Sequence, residues 1–288
     1  MFKSVSDLVR LVNEQKKSAA KLMIEQEALV SDTSEAEVVA QMRESFNVMK
    51  KAVQKGINGV VSHSGMCGGD AKKLWEYIQN NTFITDITLL KAACYAIATN
   101  EVNASMGIIC ATPTAGSSGI LPGALIAIQE KCGFNDDKII DALFVAGAFG
   151  FIIANNAFIS GAAGGCQAEI GSASSMAAAA VTFLMGGSIE QSAHAMAMAM
   201  KNMLGLTCDP LAGLVEVPCI KRNASGAVNA ILTSELALAG IESKVPWDEV
   251  IAAMYATGKY MPSIFKETAL GGLATTPTGI KWKEILWS

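Results

Sequence analysis

Residues 142–168, ALFVAGAFGFIIANNAFISGAAGGCQA, contain no charged side chain. A run this long can cross a bilayer, since about 20 apolar residues suffice. Yet it includes Asn155, Asn156, Ser160, Gln167 and a dense set of glycines, with neither an aromatic belt nor a Lys/Arg flank. Such a stretch has to be wrapped by the rest of its own chain. It reads as a buried central helix running into a loop, with no membrane as partner.

The surroundings can supply that wrapping. Hydrophobic residues make up 51% of the 288-residue chain and charged ones 17%, against about 25% charged in an average soluble domain. Much of the excess is Ala, Met and Gly, which suits closely packed helices. A net charge of −4 provides no basic patch, so no nucleic acid is expected as partner. The N-terminus MFKSVSDLVRLVNEQKK is amphipathic and charged, unlike a secretory signal. Seven cysteines, an odd number, point to a reducing cytoplasmic setting with thiols used as ligands or fillers.

Apolar periodicity predicts an all-α fold. Helices are expected at 4–29, 34–55, 70–80, 87–100, 120–131, 136–154, 172–185, 189–204, 224–239 and 246–259. Gly56 reads as a C-cap, Ser188 with Gln191 as a capping box, and Gly205 as the end of the helix before it. Loops are expected at 56–69 and 110–119. The only strand-like piece is GLVEVPCI, 213–220. No repeat or linker divides the chain. One continuous compact domain is expected, 56–288, preceded by an N-terminal helical segment, 1–55.

Three cysteines lie in irregular segments marked by glycine or proline: Cys166 in GGCQAEIG, Cys208 in GLTCDPLAG and Cys219 in VEVPCIKRN. Glycines lining a cysteine leave the backbone open to something large. Cys94 and Cys132, in helical patterns, read as small buried hydrophobes, while Cys110 and Cys67 fit either reading. No C-x-x-C element is present, so neither a zinc ribbon nor a ferredoxin run is indicated.

The blocks ISGAAGGCQAEIGSASSMAAAA, KNMLGLTCDPLAGLVEVPCIKRNA, ATNEVNASMGIICATPTAGSSGILPG and FKETALGGLATTPTG resemble the alpha chain of iron–sulfur-dependent L-serine dehydratase, over about residue 50 to the C-terminus. The resemblance implies a 4Fe–4S cluster on Cys166, Cys208 and Cys219, with one iron left open as a Lewis acid. It also implies dehydration of L-serine to pyruvate and ammonia. Two rivals are a helical scaffold with a structural metal, for which three thiols are one ligand short, and the same chemistry on threonine or another hydroxy acid. A pyridoxal-phosphate enzyme would be expected to show an α/β pattern.

Substrate-binding candidates come from three segments. SHSGMCGGD, 62–70, offers Ser62, His63, Ser64 and Gly65 at a helix start, and the family pattern carries a hydroxyl residue where this chain has Cys67. His63 is also the candidate catalytic base. ATPTAGSSG, 111–119, offers Thr114, Gly116 and Ser117 as an anion cradle. Lys221 and Arg222, beside Cys219, are candidates for pairing with the substrate carboxylate or for sensing the charge of the cluster, and Lys221 is counted among the substrate-binding residues. His194, on a helix, reads as structural. Single-chain relatives, as the resemblance implies, carry a further α/β domain, and some place a cysteine tail near the cluster. The expected partners are therefore L-serine and a separate beta chain, with room for further dimerisation.

Overall fold

The computed structural model describes residues 2–288 as helices joined by turns, with no strand among them. In chain order the helices are α1 (Val5–Gln15), α2 (Ala19–Ser31), α3 (Glu35–Ile57), α4 (Asp70–Asn80), α5 (Ile87–Ala104), α6 (Ile120–Cys132), α7 (Asp136–Asn156) and the single turn α8 (Gly161–Gly164). After a π-helical segment, Gln167–Gly171, come α9 (Ser172–Leu184), α10 (Ile189–Lys201), α11 (Cys219–Leu238), α12 (Trp247–Tyr260) and α13 (Pro277–Trp287).

α9 is the axis of the molecule. Every residue from Ser172 to Thr182 is buried, with α6, α7, α10 and α11 packed around it. Alanines and serines dominate this helix, so its neighbours approach closely, and a core of that kind has little slack for added volume. α7 carries most of the charge-free run and is long and apolar enough to cross a membrane, but two thirds of that window is buried inside the protein. It packs on α9 and α2. α5 is buried continuously from Cys94 to Val102.

Local signals placed many helix ends. Ser34 and Glu37 form a reciprocal capping box at α3, and Ser188 and Gln191 form one at α10. Asp248, in the first turn of α12, accepts the amides of Val5 at 2.8 Å and Ser6 at 3.0 Å, tying α1 to an element far along the chain.

Four sequence expectations are corrected. The single helix at 4–29 is two, broken where Lys16 turns left-handed (φ 53°) and Ser18 caps a new start. Gly56 lies within α3, where a Cβ would stand 2.3 Å from the Ala98 carbonyl oxygen. Its lack of a side chain serves close packing on α5 instead of a cap. The piece 213–220 is no strand: it forms a turn and then the first residues of α11, which starts at Cys219. Residues 202–204 are turn, and Gly205 (φ 82°) follows them, so α10 ends earlier than predicted. α13 carried no recognised signal.

Candidate active site

Cys219 is the first residue of α11, Cys166 immediately precedes the π-helical segment, and Cys208 lies in the loop after α10. All three are buried. They meet: Cys208 and Cys219 each lie close enough to Cys166 for its charge to oppose theirs. Burial pushes the Cys166 thiol up to about 12, against the pull of Arg222. Burial and neighbouring negative charge drive Cys208 and Cys219 further the same way.

Two carboxylates share this space. A Cβ on Gly161 would stand 2.7 Å from Cys208 Sγ, 2.8 Å from Glu169 Oε2 and 3.2 Å from Glu267 Oε2. Cys208 and both carboxylates therefore crowd against the backbone at Gly161, where no side chain would fit. Glu169, in the π-helical segment, is held by Thr114, whose hydroxyl donates to Oε1 at 2.7 Å. Burial raises its carboxyl above the usual range, and Glu267 adds to the effect.

The loops are fixed by buried amides. Asn223 of α11 donates to the Gly116 carbonyl at 2.7 Å and accepts from the Gly119 amide at 3.0 Å. Asn100 of α5 grips the same loop from the other side, at the carbonyls of Ala115 and Gly116. Gln167 donates to the Met254 carbonyl and accepts from the Gly205 amide, fixing the segment next to Cys166. The residues 263–273 close the remaining side. Cys208 donates its amide to the Phe265 carbonyl at 2.8 Å, and Glu267 donates to the Cys208 carbonyl at 2.8 Å.

The sequence candidates separate into three groups. Cys166, Cys208, Cys219, Thr114 and Gly116 gather around Glu169, with Glu169 Oε1 3.2 Å from where a Gly116 Cβ would be. His63 and Ser64 line an adjacent cavity of about 550 Å³ with Glu216, Leu214, Val215 and Trp287. Ser64 donates to Glu216 at 2.9 Å, while buried Ser62 accepts the Cys67 amide and Gly65 is exposed in the same turn. Val215 belongs to both regions, since its Cγ1 would be 3.1 Å from a Cβ on Gly116. The remaining two make other contacts. Lys221 pairs with Asp70 at 2.6 Å, and buried Ser117 donates to the Thr112 carbonyl and lies 3.0 Å from the Thr114 hydroxyl that holds Glu169.

Among the other cysteines, Cys94 is a buried filler that donates to the Ala71 carbonyl. Cys132 is exposed, contrary to expectation, because it ends α6 on the outer surface. Cys110 bonds the Ser45 carbonyl, and Cys67 is half-buried, its thiol pushed up to about 11 by burial and then by Glu216. His194 is structural as read, accepting from the Ser243 amide and lying edge-on to Trp247. Sequence reasoning passed over Glu169 and Glu267. Glu169 was visible as the first charge after the long neutral run; Glu267 has no spacing signal.

The donor set suits a large soft group. Three thiols offer sulfur to iron, and the glycine at 161 lets Cys208 and both carboxylates come close to the backbone. Among the described residues, no three His, Cys, Asp or Glu side chains converge closely enough for a single metal ion. Three thiols are also one short of the four ligands that a structural zinc takes.

Fold and site together define an all-α protein that buries thiols and carboxylates where irregular, glycine-bearing loops meet. Residues 14–274 match the family described as serine dehydratase alpha chain. The chain is 55% identical to the "Probable L-serine dehydratase, alpha chain" of Bacillus subtilis (strain 168), over 97% of this chain and 93% of that one. It is 43% identical to the "L-serine dehydratase, alpha chain" of Peptoniphilus asaccharolyticus, over 98% and 97%. The "L-serine dehydratase" of Streptomyces coelicolor is 39% identical over 95% of this chain but only 60% of its own length. The chain belongs to the serine dehydratase alpha chain family.

Proposed function

We propose that this chain is the alpha chain of a cytoplasmic lyase that converts L-serine to pyruvate and ammonia, with a 4Fe–4S cluster held by Cys166, Cys208 and Cys219. The observation that carries this reading is the meeting of three buried thiols, from three separate segments, with the carboxylates of Glu169 and Glu267. A bound cluster would have four irons for three thiolates, and the remaining iron supplies Lewis acidity toward a hydroxyl leaving group.

The chain's own residues do the rest. The three thiols give up their protons on loading, which offsets the burial that otherwise keeps them neutral. Thr114 holds the Glu169 carboxylate in one orientation. The closely packed loops restrict water, so charges inside act in a low dielectric. His63, exposed on the neighbouring cavity, is the proton acceptor at the substrate's α-carbon. Loss of that proton and of the β-hydroxyl leaves an enamine, which rearranges to an imine and is hydrolysed to pyruvate and ammonia.

The test is anaerobic reconstitution with iron and sulfide in the presence of the beta chain, followed by a pyruvate assay. L-Serine should give pyruvate in proportion to bound iron. Iron uptake without any turnover of L-serine, or 2-oxobutyrate from threonine in its place, would overturn the reading.

A further inference from the structure

Glu216 lines the cavity of about 550 Å³ that also presents His63, Ser64 and Asn103. It is 5% exposed, and among the described residues Ser64 alone bonds its side chain, donating to Oε2 at 2.9 Å. The Ser64 hydroxyl has a single proton to give, and its oxygen is already engaged by the Met66 amide at 3.0 Å. Oε1 of Glu216 is left without a donor, and neither Lys nor Arg lines the cavity. Lys221, further along the chain, is committed to Asp70 at 2.6 Å. A carboxylate taken from bulk water without a countercharge is costly. None of the three thiols lines this cavity, and the charges acting most strongly on Cys219 are those of Cys166, Glu169, Arg222 and Glu267.

The cavity therefore has room and an unmet acceptor for a cation with N–H donors that arrives from outside. An ammonium group is such a cation, with three N–H bonds. We infer that Glu216 receives the α-ammonium group of the substrate and so separates an α-amino acid from the α-hydroxy acid of the same shape, an inference that rests on the dehydratase reading above. His63, the acceptor of the α-proton in that reading, lines the same cavity. The departing proton and the ammonium sit on one carbon, so the acid and the base have to share one space. Val215 walls both this cavity and the region of Gly116, beside the thiols. The β-hydroxyl can thus face the thiol site while the ammonium stays at Glu216. A hydroxy acid brings no charge to Glu216 and leaves Oε1 unpaired. Sites built for a polar partner reject an analogue that lacks it.

The experiment uses the reconstituted complex of this chain with the beta chain and compares L-serine with glycerate, its counterpart bearing a hydroxyl in place of the ammonium. Equilibrium competition gives both Kd values, alongside KM and kcat for serine and the cluster's absorbance. The wild-type complex should prefer serine; glycerate bound as tightly as serine would overturn the inference whatever the variants do. Glu216→Gln keeps an acceptor for Ser64 and removes the charge. It should weaken serine binding and raise its KM by at least about tenfold, with glycerate changed by no more than about threefold and the absorbance kept. An unchanged serine Kd with a fall in kcat alone would overturn the inference, and so would equal weakening of both ligands, which is the mark of a structural role. A wild-type complex that makes no pyruvate from serine defeats the dehydratase reading and this inference with it. An active wild type whose discrimination survives Glu216→Gln defeats this inference alone.

Discussion

Half-buried Arg222 and buried Asp209 form an ion pair that joins the first turn of α11 to the loop carrying Cys208. The guanidinium reaches Asp209 Oδ1 at 3.0 Å and the Thr207 carbonyl at 2.7 Å, while Asp209 Oδ2 accepts the Leu273 amide at 2.9 Å. One pair thus fixes three of the segments around the thiols. Arg222→Ala leaves the buried Asp209 with the Leu273 amide but no countercharge, a change that costs up to about 3 kcal/mol. We expect a lower denaturant midpoint together with loss of iron binding. Arg222→Lys keeps the charge without the fork and should recover only part of the stability.

Gly161 should tolerate no side chain. In Gly161→Ala the methyl group meets Cys208 Sγ and both carboxylates, so iron loading should fail while helical circular dichroism is kept. Gly171→Ala is the control, since its methyl would have Met203 as its only near neighbour, at an ordinary 3.4 Å. Normal loading of Gly161→Ala would show that this close packing does not matter to the thiol site.

Replacing Cys166, Cys208 or Cys219 with alanine should in each case abolish the iron–sulfur absorbance, whereas Cys94→Ala should keep it. Cys132, being exposed, should react first with a thiol reagent in the metal-free protein. Cys166, Cys208 and Cys219 should follow only on unfolding.

Alkaline stability gives an independent check on burial. The Cys94 thiol is pushed from its ordinary 9.0 up to about 12 by burial. Between these values the unfolded chain releases a proton that the folded chain retains, so stability falls as pH rises. Each such group contributes a slope of about 1.4 kcal/mol per pH unit in that window. Below pH 9 the Cys94 contribution is flat, and it is lost progressively above. Denaturant titrations of the metal-free chain should show that Cys94→Ala removes one proton's worth of slope; an unchanged slope would mean that Cys94 is not protected from ionisation.

The segment that closes the thiol site exposes Leu270 and Leu273, and α13, which follows it, exposes Ile280, Ile285 and Trp287. The beta chain is the partner expected for this face. The reconstituted chain alone should turn over serine poorly, and adding the beta chain should restore turnover. Leu270→Arg should raise the amount of beta chain needed by at least tenfold, measured by activity titration. Full turnover by the isolated chain would argue against the arrangement.

The helical architecture and the three irregular cysteines were legible because both are local signals. Apolar periodicity marks α3 to α7, and Ser34 and Ser188 announce their helices through bonds within one turn. The start of α11 was not legible. The stretch before Cys219 alternates like a strand, and only its setting between the thiols and Asn223 makes it a helix end. Gly56 misled because glycine caps helices and also lets them touch; the distinction lies in Ala98, more than forty residues away. The carboxylates were hidden for the same reason. Nothing in KETALGG says that Glu267 will stand beside Glu169, since that pairing is made by the backbone exchange with Cys208.

The bond between Val5 and Asp248 spans 243 positions of sequence. Chains are synthesised at about 5–20 residues per second, so the Val5 amide waits on the order of 10–50 s on the ribosome before its acceptor exists. Throughout that interval the apolar face of α1, including Val5 and Leu8, lacks α12 to cover it. α1 is therefore made long before it can be seated, and the nascent chain has to keep it soluble until then.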